Sequence, residues 1–404
     1  MKDCGNSVSM NQPTILQEPP DFSLVLGGPL FQLYRRTHLA GSDLELLHRR
    51  IIVLTLVTWL PLVILSAADG HLLGGVALPF LRDIEIQVRF LVALPVLIAA
   101  ELVVNSRLRP AVHNFLNENI VRAEEIPKFR TAIDSATRLR NSIPLELGLL
   151  VIVAAFGHWL WQSQITLGTS SWFAVAGDVH MQPTPAGQWN TYVSIPIFQF
   201  ILLRWYFRLL IWFRFLWQVS KLKLQLIPTH PDRSAGLGFL GAISYAFAPI
   251  LFAEGALLSG LIADRVLYGG ESLRSFKMPV LGLIVLFTLL ILGPLTMFTP
   301  QLARTRRKGL ADYGSLASVY VEEFQEKWVM RRITNRNELL GTGDIQSLAD
   351  LGNSYSMVRE MRLVPFGLQE MSRLAGVIAV PLVPLGLTTF SLEELVMRLL
   401  RVIF

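Results

Sequence analysis

Residues 192–219 read YVSIPIFQFILLRWYFRLLIWFRFLWQV. The stretch is almost wholly aliphatic and aromatic, yet it carries three arginines, Arg204, Arg208 and Arg214. At about 1.5 Å of rise per residue, a helix of this length exceeds the ~30 Å hydrocarbon core of a bilayer. Backbone polar groups in lipid must be satisfied within the element, so the stretch reads as a membrane-crossing helix. Arginine inside such a helix is costly and points to a polar site.

Comparable runs lie on both sides of it. Residues 51–67, 88–105, 143–162, 237–263 and 278–300 are each apolar and roughly long enough to cross. A weaker segment at 374–390 contains Pro381 and Pro384 and reads either as a kinked crossing or as a re-entrant turn. Composition agrees: 52% of the 404 residues are hydrophobic and 16% charged, against about 25% charged in soluble domains. The expected fold is an all-α membrane protein, a bundle of about seven transmembrane helices (six strongly apolar, one weak) with cytoplasmic amphipathic helices.

Charge sets the orientation. With the N-terminus in the cytoplasm, the inner segments 1–50, 106–142, 219–236 and 301–373 hold 26 lysines and arginines, and the outer segments hold 5. The positive-inside rule then places the N-terminus inside, even when the long 301–373 segment is left out. This distribution explains a net charge of +6 without invoking nucleic acid. Trp159, Trp161, Trp172 and Trp189 fall at the expected outer interface. The lone cysteine, Cys4, excludes an intramolecular disulfide framework and a cysteine-based zinc site. The first 50 residues are too polar and too long to read as a signal peptide.

The chain therefore divides into a cytoplasmic N-terminal tail, 1–50; a six-helix core, 51–300, with a helical loop at 106–142; a cytoplasmic helical segment, 301–373; and the weak seventh segment with a C-terminal amphipathic helix, 374–404. Only residues 1–25 read as disordered. In 311–333, Leu316, Tyr320, Phe324 and Trp328 recur every four residues among acidic neighbours, which predicts an amphipathic helix. Asp344 is the expected cap of a second helix through Met361, with Ile345, Leu348, Leu351, Val358 and Met361 inward. Phe115, Ile120, Phe129 and Ile133 mark a similar face in 111–140. Ser391 and Glu394 form a capping-box pattern that opens the C-terminal helix.

The candidate intramembrane polar site is Arg204, Arg208, Glu254 and His158. Arg204 lies near mid-span, and Arg208 shares its helix face four residues on. Glu254, in the next crossing, is the expected partner of Arg204. Two readings stay open: a structural ion pair, or a polar pathway or anion site between the fourth and fifth helices. His158 reads as a proton relay or as an interfacial hydrogen-bonding residue. Glu101 and Glu146 read as structural, and Gln199 and Tyr245 as further polar members. His230, Asp232 and Arg233 mark a candidate cytoplasmic mouth, with Asp232 alternatively capping the loop into the fifth helix. Gly341–Asp344 matches the Gly-x-Gly-Asp of intramembrane aspartyl proteases, but its flank is polar and no transmembrane aspartate is there to pair with it. No nucleophile elbow, metal-ligand cluster or cofactor motif is present in the sequence.

The stretches HPDRSAGLGF (230–239), LGTGDIQSLADLGN (340–353) with its continuation REMRLVPF (359–366), and Leu392–Leu395 resemble an uncharacterised bacterial family of multi-pass inner-membrane proteins. The resemblance implies a bacterial inner-membrane location and no activity. The first functional reading is transport or conduction of a small solute or ion, an anion among the options, between the fourth and fifth helices. The second is a membrane scaffold or signalling protein that docks a soluble partner on its cytoplasmic helices. An enzyme acting on a lipid or isoprenoid ranks last, since no catalytic group can be named. The bilayer is the one certain partner, no cofactor is expected, and homo-oligomerisation stays open.

Overall fold

The computed structural model describes residues 22–37, 46–165, 171–176, 181–330 and 342–388. It is 78% helical, with one short antiparallel pair, β1 (Ala174–Ala176) and β2 (Met181–Pro183). The helices in chain order are α1 (Pro29–Arg36), α2 (Leu47–Ala68), α3 (Ile84–Asn117), α4 (Ile126–Arg140), α5 (Ile143–Ile165), α6 (Pro185–Val219), α7 (Phe239–Leu267), α8 (Leu273–Met330), α9 (Asp344–Arg359) and α10 (Leu368–Gly386). Six of them, α2, α3, α6, α7, α8 and α10, are long and apolar enough to cross a membrane. Their outward faces expose residues such as Ile64, Leu210, Leu286 and Leu289, as lipid-facing helices do.

Prolines shape these helices. The ring of a proline clashes with the carbonyl four residues earlier. Pro95, Pro196, Pro249 and Pro300 each have that residue (Leu91, Tyr192, Tyr245 and Thr296) inside a local irregularity. The turns are π at Arg89–Ala93 and Asn190–Ser194, and 3-10 at Ser244–Phe247 and Gly293–Phe298. Widening or tightening one turn relieves the clash while the helix continues.

One end of the bundle, called here the basic end, carries Arg49, Arg107, Arg138, Lys221 and Arg304; the opposite is the far end. At the far end Asp83 and Asp264 hold α3 against α7. Asp264 accepts from the Ile84 and Glu85 amides at 2.9 and 2.8 Å, and Asp83 accepts from the Ile86 amide and from Trp172 Nε1. Trp172 is therefore a buried core residue against Phe80, rather than part of an interfacial belt.

Beneath the basic end, α4 packs across the bundle. Phe115, Ile120, Phe129 and Ile133 are all buried, and Phe129 lies 5.9 Å from Phe215 of α6. The N-terminal segment 22–36 also belongs to this layer. Phe22, Leu24 and Val25 are buried, with Phe22 5.0 Å from Phe215, so this part of the expected tail is packed against the bundle.

α8 runs through residue 300 as one helix of 58 residues, about 87 Å long, that leaves the bundle at the basic end. α9 turns back along it. Gly309 permits close packing at the base, where a Cβ would lie 2.7 Å from Pro228 and 2.9 Å from Val358. Asp344 begins α9 without capping it; its carboxylate instead accepts from Lys327 Nζ and Trp328 Nε1, at 2.7 and 2.9 Å. Val358 and Met361 are buried, while Ile345 is exposed.

α10 runs alongside α7. Phe366 approaches Gly241, the Ile378 carbonyl would lie 2.2 Å from a Cβ at Gly255, and Ser259 donates to the Pro381 carbonyl at 2.7 Å. The expected C-terminal helix from Ser391 and the residues 1–21 lie outside the described residues, as do the side chains of His158, Trp159 and Trp161.

Candidate functional site

Arg204 and Arg208 do converge on a buried polar site, but with different partners from the expected one. Both lie on the α6 face that meets α3 and α5. Arg208 Nη2 donates to Glu101 Oε1 of α3 at 2.9 Å, and Arg204 Nη1 stands 3.9 Å from the same oxygen. Arg204 Nε reaches Glu146 Oε1, in the first turn of α5, at 3.1 Å. The second oxygen of Glu101 accepts from Arg50, in the first turn of α2. All five side chains are buried. Guanidinium forks suit this sharing, since each presents several donors in a fixed plane. Two aromatic faces back the cluster: Arg50 lies over Tyr34 at 4.9 Å and Arg208 over Trp205 at 4.6 Å. Trp205 is itself fixed by its Nε1 bond to the Leu97 carbonyl.

The N-terminal segment closes the cluster. Glu146 Oε2 accepts from the Leu30 amide at 2.9 Å, which anchors the first turn of α1. Arg140 donates to the Ser23 carbonyl, and Ser23 Oγ donates to Asn105 at 2.6 Å. The chain can lie this close because of Gly27 and Gly28, whose φ angles are +139° and +91°. A Cβ at Gly27 would fall 2.6 Å from the Arg140 guanidinium. What space remains is a cavity of about 10 Å³ lined by Arg50, Arg204, Arg208, Glu101 and Tyr34 with Leu30, Ile98, Ile201 and Trp205. It admits one water-sized sphere.

Three expectations change. Glu254 is not joined to Arg204 by an ion pair: its carboxylate accepts from Tyr206, which projects from another side of α6. The site consequently lies among α2, α3, α5 and α6, not between the fourth and fifth crossings. Its depth also differs from mid-span. Arg50, Glu101 and Glu146 stand about 17–19 residues, roughly 26–29 Å, from the far ends of their helices, at the basic edge of a ~30 Å apolar slab. His158 lies in α5, where its side chain is outside the described residues. Gln199 Oε1 is buried with no partner among the described residues, and Tyr245 is exposed beneath Arg107.

Chemically, the cluster is an ion network in which three guanidinium groups share two carboxylates. Breaking such a network by removing one partner costs far more than an exposed pair would. Arg50, Glu101, Glu146 and Tyr34, which complete it, were not singled out as a site by the sequence. Their one sequence signal is position, since each of the three charged residues stands a similar distance from the far end of its helix.

The His230–Phe239 loop is built around Asp232. Its Oδ1 accepts from the Ser234 and Gly236 amides and its Oδ2 from the Gly238 amide, at 2.8, 3.1 and 2.7 Å, while His230 Nδ1 lies 2.8 Å from Oδ1. Burial opposes the charged form here, but the donors of Ser234, Gly238, Gly236 and His230 outweigh it and hold the carboxyl below its usual range. Asp232 is thus spent on the turn into α7. Arg233, with φ +56°, directs its carbonyl to the Arg362 amide at 2.7 Å, so the 230–239 and 359–366 stretches meet in space.

Above them stands the α8–α9 hairpin. Tyr320, Phe324 and Trp328 are partly covered by α9, and Tyr320 donates to the Asp344 carbonyl. Leu316, Val319 and Met330 are 55%, 53% and 74% exposed on an adjacent face of α8, beside Glu322, Glu323 and Glu326. In comparisons with known proteins, no family model, no curated protein and no solved structure matches the chain.

Proposed function

We propose that this chain is a membrane-anchored docking protein, whose cytoplasmic hairpin binds an amphipathic, basic helix of a soluble partner. The observation that carries this reading is the exposed apolar face of α8. Leu316, Val319 and Met330 are exposed along α8, and Glu322, Glu323 and Glu326 stand on the same stripe between Val319 and Met330. A partner helix can lay apolar side chains on Leu316, Val319 and Met330, and the glutamates among them favour lysine and arginine interspersed on its docking face. Conduction between the fourth and fifth crossings rested on an Arg204–Glu254 pair, and that support is gone.

The proposed topology has seven crossings, counting α5 and α10 with the others. The alternation of basic and far ends from α2 to α10, and the packing of α10 beside α7 at Gly255 and Ser259, support it. The basic end then faces the cytoplasm under the positive-inside rule. A bacterial inner membrane is the setting that the sequence resemblance implies.

A photoreactive amino acid at position 316, in native membranes, tests the docking reading. The expected product is a crosslink to a soluble protein through a basic amphipathic segment, lost in Val319→Asp. Crosslinks to lipid alone, or a protein crosslink unchanged by Val319→Asp, would refute it.

A further inference from the structure

The buried cluster carries more positive than negative charge. Among the described residues, Arg50, Arg204 and Arg208 are opposed within it by Glu101 and Glu146 alone. Guanidinium groups stay charged in proteins, so one positive charge is left over in a region shielded from water, where lone charge is expensive. Glu146 has both oxygens engaged, by Arg204 and by the Leu30 amide. Glu101 divides its two oxygens among the three arginines. Arg50 Nε is buried with no partner among the described residues, and Arg50 is 2% exposed.

The space left beside these groups is the cavity of about 10 Å³, which Arg50, Arg204 and Arg208 all line. It admits one water-sized occupant, too small for phosphate, sulfate or a carboxylate, and a halide, somewhat larger than water, enters as the flexible guanidinium side chains yield. Water would fit but would leave the charge uncompensated. Tyr34 and Trp205 occupy the flat faces of Arg50 and Arg208, which leaves N–H edges as the groups available to an occupant. Glu101 in the lining restricts the site to a single negative charge.

We propose that this cavity binds one small monovalent anion of the halide class, held by Arg50, Arg204 and Arg208 and sealed by the segment 22–36. The anion completes the charge balance of the cluster and, through Tyr34 and Leu30, locks the N-terminal segment onto the bundle. This role is independent of the docking face on α8.

The test uses the purified full-length protein in a neutral detergent, melted in sodium chloride, bromide or gluconate at equal ionic strength. Stability is expected to rise saturably with chloride and bromide and to stay flat with gluconate, and protease cleavage within 22–36 is expected to slow in parallel. Glu101→Gln, which adds a second unbalanced charge, should widen the gap between chloride and gluconate. Arg50→Lys keeps the charge but removes Nε, and should weaken the apparent halide affinity at least tenfold while the protein still folds. Identical melting in all three salts, the outcome if the cavity holds only water, overturns the proposal. So does a halide response that Arg50→Lys leaves unchanged, a result that stands even where Glu101→Gln does not fold.

Discussion

Glu101→Gln probes the cluster most directly. The substitution keeps the shape of the side chain and one acceptor, but removes the charge that faces Arg50 and Arg208. Breaking a buried ion pair from one side costs about 3–5 kcal/mol, because the partner remains buried and unpaired. Here two guanidinium groups lose their carboxylate, and Gln retains one hydrogen bond worth ~1 kcal/mol. The expected loss is therefore about 3 kcal/mol, read by equilibrium unfolding in mixed micelles with gluconate as the anion. Adding Arg208→Met removes one of the two stranded cations. The double variant should recover about 1–2 kcal/mol over Glu101→Gln alone, a coupling expected only between residues of one network. If Glu101→Gln lies within about 1 kcal/mol of the parent, or the double variant is less stable than the single, the network described above does not hold the bundle.

Gly28→Ala should loosen the N-terminal segment, since a side chain at φ +91° is strained by about 1 kcal/mol and its Cβ would sit 3.0 Å from the Arg140 carbonyl; faster amide exchange over 22–36 with unchanged exchange in α6 is the readout. Glu254→Gln should be tolerated within about 1 kcal/mol, because the described donor to that carboxyl is the Tyr206 hydroxyl, which a glutamine oxygen also accepts. Asp232 has a folded-state pKa below its unfolded value, so its contribution to loop stability is complete above the ordinary carboxylate range and is lost as pH falls through the depressed value. Amide protection at Ser234, Gly236 and Gly238 should accordingly hold at neutral pH and fade only in acid, and Asp232→Asn should remove that pH dependence.

The crossings were legible because lipid demands long apolar helices, and any such helix declares itself in composition. The inward faces of Phe115, Ile120, Phe129 and Ile133 were legible for the same reason, through helical spacing. The partners of Arg204 and Arg208 were not. Glu254 lies on the next crossing along the chain, yet a charge pair is set by which helix faces meet. Arg204 and Arg208 stand one turn apart, whereas Tyr206, two residues from each, projects from a nearly opposite side. It is Tyr206 that faces α7, so a carboxylate that meets it cannot also meet Arg204. The packing of α6 against α3, fixed by Trp205 on the Leu97 carbonyl, decides this, and no local pattern encodes it. The packing of the N-terminal segment was not legible, because Phe22–Leu26, mostly apolar but short, sits in a polar stretch, and only the bundle supplies the surface that buries Phe22, Leu24 and Val25.

The seating of α10 against Gly255 and Ser259 has a bearing on how the protein is made. Of the six candidate crossings α10 is the least apolar, and it contains Pro381 and Pro384. Left by itself in lipid it would be a reluctant resident, with carbonyls freed by those rings and few side chains to repay insertion. Ser259 caps one such carbonyl, and the notch at Gly255 admits the backbone. Biogenesis is then ordered: α7 must be installed before the last segment can settle, so a chain cut short at residue 367 would leave that notch facing lipid as a mark of incomplete assembly.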